Sequence, residues 1–286
     1  MERIRAYYWL SKPGIVYGNS IALLAGFFFY SLAESVSPDL WLLLGAVVGT
    51  ALIMASACVA NNILDRDMDV YMARTHSRAL VTGAIGVIPA AAYSATLLVI
   101  SSVILYITNP IAMYLGLVGW VSYAIIYTYA KRVTYYATLI GTVPGAIPPL
   151  TGYYAAGGSS LAVATALFLV LVTWQMVHFY AIAIFRQQEY SKAHIPIITE
   201  VKGVAVTIRH IQIWTYLSGL TLLASTYYGT WLYTVLTVVL FAWWFRVTLY
   251  QDEDATQWSR QVFFASLKFL VIWLVITVVS AGIGLL

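Results

Sequence analysis

Apolar runs of membrane-crossing length follow one another along this chain, and that succession limits it to an all-helical membrane protein. A helix needs about 20 predominantly apolar residues to cross a hydrocarbon core. Nine such runs are expected, at 14–33, 40–62, 85–107, 110–130, 134–156, 160–184, 207–227, 229–250 and 264–285, with edges set to within a few residues. The composition agrees, at 62% hydrophobic and 9% charged. No long linker, low-complexity tract or composition break interrupts the sequence, so residues 1–286 are expected to form a single transmembrane domain.

The placement of charge orients the bundle. The connections Glu34 to Pro38, Thr108–Asn109, Ala156 to Ser159 and Tyr228–Gly229 hold no Lys or Arg. All 15 basic residues fall on the alternate side, if Lys268 snorkels from the start of the last span. Basic connections face the cytoplasm, so the N-terminus is expected inside and the C-terminus outside. An error of one span would scatter the charges over both faces. The first residues, MERIRAYYWLSKPGIVYGN, lead into an apolar run too long for a signal h-region and are expected as a retained span. The single cysteine, Cys58, lies in an apolar run and reads as packing.

Two inner connections are longer than the others, 63–84 and 185–206. The first belongs to NNILDRDMDVYMARTHSRAL, residues 61–80, which gathers three aspartates and three arginines at the end of a span. If the helix continues past Asn61, then Asn61, Asp65 and Asp69 share one polar stripe, while Asp67 faces the opposite side. Two carboxylates one turn apart repel unless a cation lies between them. Hard oxygen donors suit Mg²⁺, which commonly bridges to phosphates. Arg74, Arg78 and the later pair Lys131–Arg132 would complete a cradle for a polyanion such as a diphosphate. The competing reading is a solvated juxtamembrane loop whose charges pair with one another or with lipid head groups.

Asn61-Asn62-Ile63-Leu64-Asp65-Arg66-Asp67-Met68-Asp69, followed by Arg74-Thr75-His76-Ser77-Arg78-Ala79-Leu80 and Gly83, resembles the first aspartate-rich motif of the UbiA superfamily of intramembrane prenyltransferases. The resemblance implies a UbiA-type bundle of nine transmembrane helices. It implies that Asp65 and Asp69 bind Mg²⁺–diphosphate with support from Asn61, and that Arg78 with Lys131 or Arg132 holds the phosphates. In place of a second aspartate cluster, the second long connection offers His178, Arg186 and Glu189, in WQMVHFYAIAIFRQQEY running on to AHIP. That string, with Tyr127-Thr128, Lys131-Arg132, Thr134, Gly141, Gly145-Ala146, Pro148-Pro149 and Gly152, is similar to the protohaem IX farnesyltransferase branch. The implied partners are farnesyl diphosphate, protohaem IX and the lipid bilayer, with no nucleic acid. The implied reaction joins the farnesyl group to a haem vinyl group, with water addition, at the cytoplasmic side of a cell membrane.

The missing aspartate pair leaves one Mg²⁺, or a second held weakly through Glu189; Arg186 joins the expected diphosphate contacts. His178 and Glu189, eleven residues apart, would share nearly one azimuth on a continuous helix. Three readings of His178 stay open: a buried imidazole bonded to its surroundings, a haem contact, or a proton-handling group. His76, His194 and His210 read as surface residues. Pro144, Pro148 and Pro149 within span five imply a bent helix, lining a cavity or packed closely through its small residues. The rival readings are a UbiA-type enzyme acting on a quinone precursor or other aromatic acceptor, an ion-coupled transporter, and a passive haem carrier. Against transport, no Asp, Glu, Lys or Arg falls mid-span.

Overall fold

The computed structural model describes residues 2–72, 75–193, 195–249 and 254–285, and these contain helix and no strand. Arg74, expected at the diphosphate, and His194 lie outside the described residues. Helix α1 (Glu2–Leu10) precedes α2 (Pro13–Glu34) and α3 (Leu40–Leu64), and the short α4 (Arg66–Asp69) follows. Next come α5 (Val87–Thr108), α6 (Pro110–Val121), a π-helical turn over Ser122–Tyr127, and α7 (Thr128–Val133). Helices α8 (Ala137–Ala155) and α9 (Leu161–Phe185) lead to the short α10 (Gln187–Lys192) and α11 (Ile198–Lys202). The chain closes with α12 (Val204–Thr226), α13 (Trp231–Leu249) and α14 (Ala255–Gly284).

Seven helical segments among the described residues are long and apolar enough to cross a membrane: α2, α3, α5, α6 through α7, α9, α13 and α14. The chain is a multi-pass membrane protein. Helices α8 and α12, at expected spans five and seven, are of similar length but fall outside that set. Helix α8 is interrupted by prolines, and α12 carries Arg209, His210 and Gln212 near its start. Helix α14 begins nine residues before the expected span (264 against 255), because Asp254 caps the Thr256 and Gln257 N–H groups and carries the helix through a polar first stretch.

Helix α9 is the most enclosed element and packs on α8, α12 and α14, while α2 packs on α8, α14 and α3. Small residues set the α2–α8 approach. A Cβ at Gly26 would overlap the Pro149 carbonyl, and one at Gly152 would overlap the Leu23 carbonyl. Pro144 and Pro148 line a central cavity. Span five therefore does both things that its prolines and glycines suggest, close packing on one face and cavity lining on another.

Backbone cannot yield as a flexible side chain does. Gly152→Val is expected to cost about 1–3 kcal/mol and to lower the thermal unfolding midpoint in detergent. Gly18→Ala meets nothing within 4 Å and is expected to leave the midpoint unchanged or slightly raised.

Candidate active site

Helix α3 delivers Asn61 and Asn62 in its last turn and ends at Leu64, and Asp65 serves as the joint to α4. The helix does not run on without a break, but its register survives. The Asp65 N–H bonds the Asn61 carbonyl at 2.9 Å, and the Asp69 N–H bonds the Asp65 carbonyl at 2.9 Å. Asn61, Asp65 and Asp69 are all buried and line one cavity of about 530 Å³. Asp67 takes the opposite side, with its side chain 65% exposed, and accepts from Arg132 at 2.7 and 2.8 Å. That hydrogen bond holds its carboxyl below the usual carboxylate range.

Each inward oxygen donor meets one cation. The Lys131 ammonium donates to Asp65 Oδ2, and Arg78 meets Asp69 Oδ2 at 2.5 Å. The Lys12 ammonium donates to Asn61 Oδ1, and burial pulls its pKa down to about 8. Lys12 reaches the site because its backbone turns left-handed, at φ 50° and ψ 64°, between α1 and α2. Asn61 Nδ2 donates to Thr128 Oγ1 at 2.6 Å, which fixes the amide with its oxygen towards Lys12.

The π-helical turn presents Tyr123 and Tyr127 as a parallel pair, with centroids 5.8 Å apart. The Lys12 ammonium lies 5.7 Å from the Tyr123 ring centroid and that of Lys131 lies 5.5 Å from Tyr127. Aromatic faces hold these partly desolvated ammonium groups inside the site. π-Helical turns inside α-helices occur often at functional sites.

Asp65 Oδ1 is buried with no hydrogen-bond partner, 3.9 Å from Arg132. With Asp69 and the Asn61 amide oxygen it makes a hard donor set that fits Mg²⁺. No group of three or more His, Cys, Asp or Glu able to hold a metal ion occurs among the described residues. Glu189 pairs instead with Arg186 at 3.6 Å, and neither lines the cavity. The expected shared azimuth of His178 and Glu189 fails because α9 ends at Phe185 and the chain turns at Arg186. Of Lys131 and Arg132, Lys131 faces the cavity, while Arg132 bonds Asp67 and the Leu64 carbonyl at its edge.

His178 also lines the cavity, stacked on Trp174 and close to Phe263. Its Nδ1 lies 2.7 Å from Ser266 Oγ, and that hydroxyl donates to the Phe263 carbonyl at 2.6 Å. The serine oxygen must therefore accept from Nδ1–H, which assigns the tautomer and leaves Nε2 with a free lone pair. Lys12, Tyr123 and Ser266 were not singled out by sequence, and Thr128 entered only as part of the family resemblance. Lys12 beside Pro13 at a helix start was the one local signal; the others arrive through long-range packing.

The UbiA prenyltransferase family profile matches residues 21–268. A protoheme IX farnesyltransferase of Aliivibrio salmonicida is 41% identical, over 98% of this chain and 96% of its own. One from Edwardsiella ictaluri is 39% identical, over 92% of this chain and 90% of its own. Protoheme IX farnesyltransferase 2 of Chromobacterium violaceum is also 39% identical, over 93% and 89%. The fold is shared with solved structures of low identity. A digeranylgeranylglyceryl phosphate synthase gives a TM-score of 0.79 at 18% identity, covering 98% of this chain and 99% of its own. A UbiA homologue from Archaeoglobus fulgidus, bound to GPP and Mg²⁺, gives 0.70 at 14%, covering 95% and 99%.

The unequal placement of the two neighbouring cations has a measurable consequence. Calorimetric binding of inorganic pyrophosphate with Mg²⁺ to the full chain is expected to weaken about tenfold or more in Lys131→Met, the loss of one charge-assisted hydrogen bond. Arg132→Met is expected to cost less than about threefold, because it removes an exposed ion pair at the edge.

Proposed function

The chain belongs to the UbiA prenyltransferase family, and from that premise we propose that it transfers the farnesyl group of farnesyl diphosphate to a vinyl group of protohaem IX, with addition of water, giving haem O. The observation that carries this reading is one cavity, buried at Asp65 and Asp69 and continuous with an apolar interior that reaches His178. Near-full-length similarity to protoheme IX farnesyltransferases supports the choice of acceptor.

Asp65, Asp69 and the Asn61 oxygen would hold Mg²⁺, which supplies Lewis-acid stabilisation of the departing diphosphate when bound. Lys131, Arg78 and Lys12 then turn from those oxygens to the phosphates. Their positive charge is already in place, in a low-dielectric site, where negative charge develops as the allylic C–O bond breaks. Tyr123 and Tyr127 present aromatic faces beside the same charges, each worth about 0.5–2 kcal/mol to a nearby cation. The vinyl group attacks the farnesyl C1, and water captures the cation formed next to the porphyrin, losing a proton to give the alcohol. No protein nucleophile is needed.

His178 contributes a neutral imidazole whose Nε2 lone pair suits a contact to haem iron. The topology proposed with this reaction is one domain of nine spans, α8 and α12 included. It places the N-terminus and the Asp65 end of the cavity on the cytoplasmic side, because all 15 Lys and Arg then lie there. A quinone-precursor acceptor is less consistent with the second inner connection, where Arg186 and Glu189 pair with each other and bring no carboxylate cluster to the cavity.

Purified protein given labelled farnesyl diphosphate is expected to form product with haem and none with 4-hydroxybenzoate; product only with the latter overturns the reading. Asp65→Ala is expected to lower turnover by about a hundredfold or more, the scale of one transition-state charge contact, while haem still binds. Chelation of Mg²⁺ should stop the wild type, and added Mg²⁺ should restore it. His178→Ala is expected to shift the Soret band of bound haem; an unchanged band removes the haem contact.

A further inference from the structure

The wall of the cavity has a second side. Ile4, Tyr7 and Tyr8 lie on one stripe of α1 and face a groove of about 650 Å³, floored by Val16, Ala55 and Tyr93. The groove is apolar carbon and tyrosine ring. Tyr7 stands edge-on to Tyr93, with centroids 5.0 Å apart, and the Tyr8 and Tyr17 hydroxyls bond each other at 2.9 Å at its rim. On α2 the residues alternate between the two hollows: Val16 and Tyr17 belong to the groove, Ile15 and Gly18 to the cavity. The groove is thus separate from the active site.

Its flanks carry positive charge. Arg3 and Arg5 flank Ile4 at about 100° to either side on the helix. Both are exposed, and no carboxylate among the described residues pairs with either. The exposed Trp9 follows on the same helix, and Trp and Tyr rings favour the membrane–water boundary. Ala55 lies nine residues before the end of α3 at Leu64, about 13 Å along the axis. The groove therefore runs from the boundary, at the helix end where Arg3 and Arg5 flank Ile4, into hydrocarbon depth.

We propose that this groove is a binding site for one anionic phospholipid, its head group at the end of α1 flanked by Arg3 and Arg5 and an acyl chain along Ile4, Tyr7 and Ala55. The two exposed arginines favour an anionic head group over a zwitterionic one. A prenyl diphosphate has the same two parts, but the groove offers no carboxylates to hold a metal with it, whereas the cavity does. The ligand is therefore a structural lipid and not a second substrate.

The test uses the full chain in phosphatidylcholine nanodiscs containing chain-spin-labelled phosphatidylglycerol or chain-spin-labelled phosphatidylcholine. The motionally restricted fraction of each label is read by electron paramagnetic resonance. Phosphatidylglycerol is expected to be restricted with about fivefold or greater preference, the scale of one basic residue at an anionic surface. The preference should vanish in the Arg3→Gln/Arg5→Gln variant. Val16→Trp, which narrows the groove at its floor and leaves both arginines, should reduce the restricted fraction. Equal restriction of the two lipids, or a preference that survives the double substitution, overturns the proposal. Full restriction in Val16→Trp overturns the groove as the seat of the chain. An unchanged thermal unfolding midpoint in the same samples confirms that the variants are folded. No prenyl substrate enters the readout, so its failure is distinct from failure of the proposed reaction.

Discussion

Two carboxylates buried within one helical turn of each other are the constraint around which this site is built. Asp65 and Asp69 are 4% and 5% exposed, and unpaired charges at such depth would be costly. Breaking a buried ion pair by removing one partner costs about 3–5 kcal/mol. Lys131 and Arg78 neutralise the pair directly, and Lys12 covers the neighbouring amide oxygen. The three cations come from separate segments, so the compensation itself ties α2, α4, α7 and the loop beyond α4 together. An arrangement that neutralises carboxylates in this way is also poised to receive a polyanion and its metal, since the same charges can turn to phosphate.

The fold serves that constraint locally. Asp65 ends α3 without losing its register, so Asp69 returns to the same side. The π-helical turn rotates Tyr123 and Tyr127 under the two lysines. Asn62, next to Asn61, donates to the Leu10 carbonyl at 2.8 Å and so fixes the elbow from which Lys12 enters. Adjacent asparagines thus hold the backbone and the side chain of one connection. Glycine contacts between α2 and α8 bring the walls close, and Pro144 and Pro148 of α8 line the cavity.

Much of this was legible in the sequence, where the signal was local. The spacing of Asn61, Asp65 and Asp69 and the outward turn of Asp67 follow from helical periodicity, and both are found. The succession of apolar runs located the long helices. What periodicity could not show was the break at Arg186, so the alignment of His178 with Glu189 failed there. The roles of Lys131 and Arg132 could not be separated either, because adjacent residues differ only in which neighbour they meet. Lys12 and Ser266 were hidden for a related reason. Their partners lie 49 and 88 residues away, at Asn61 and His178, and no short-range pattern encodes such contacts.

In the proposed reaction Asp65 and Asp69 exchange their internal cations for a metal, while those cations pass to diphosphate. An experimental map of the full chain with Mg²⁺ and a non-reactive farnesyl thiodiphosphate tests it directly. A metal is expected between the two carboxylates, with the Lys131 and Arg78 side chains on the phosphate oxygens. A map with diphosphate bound elsewhere, or with both carboxylates still paired to Lys131 and Arg78, would contradict it.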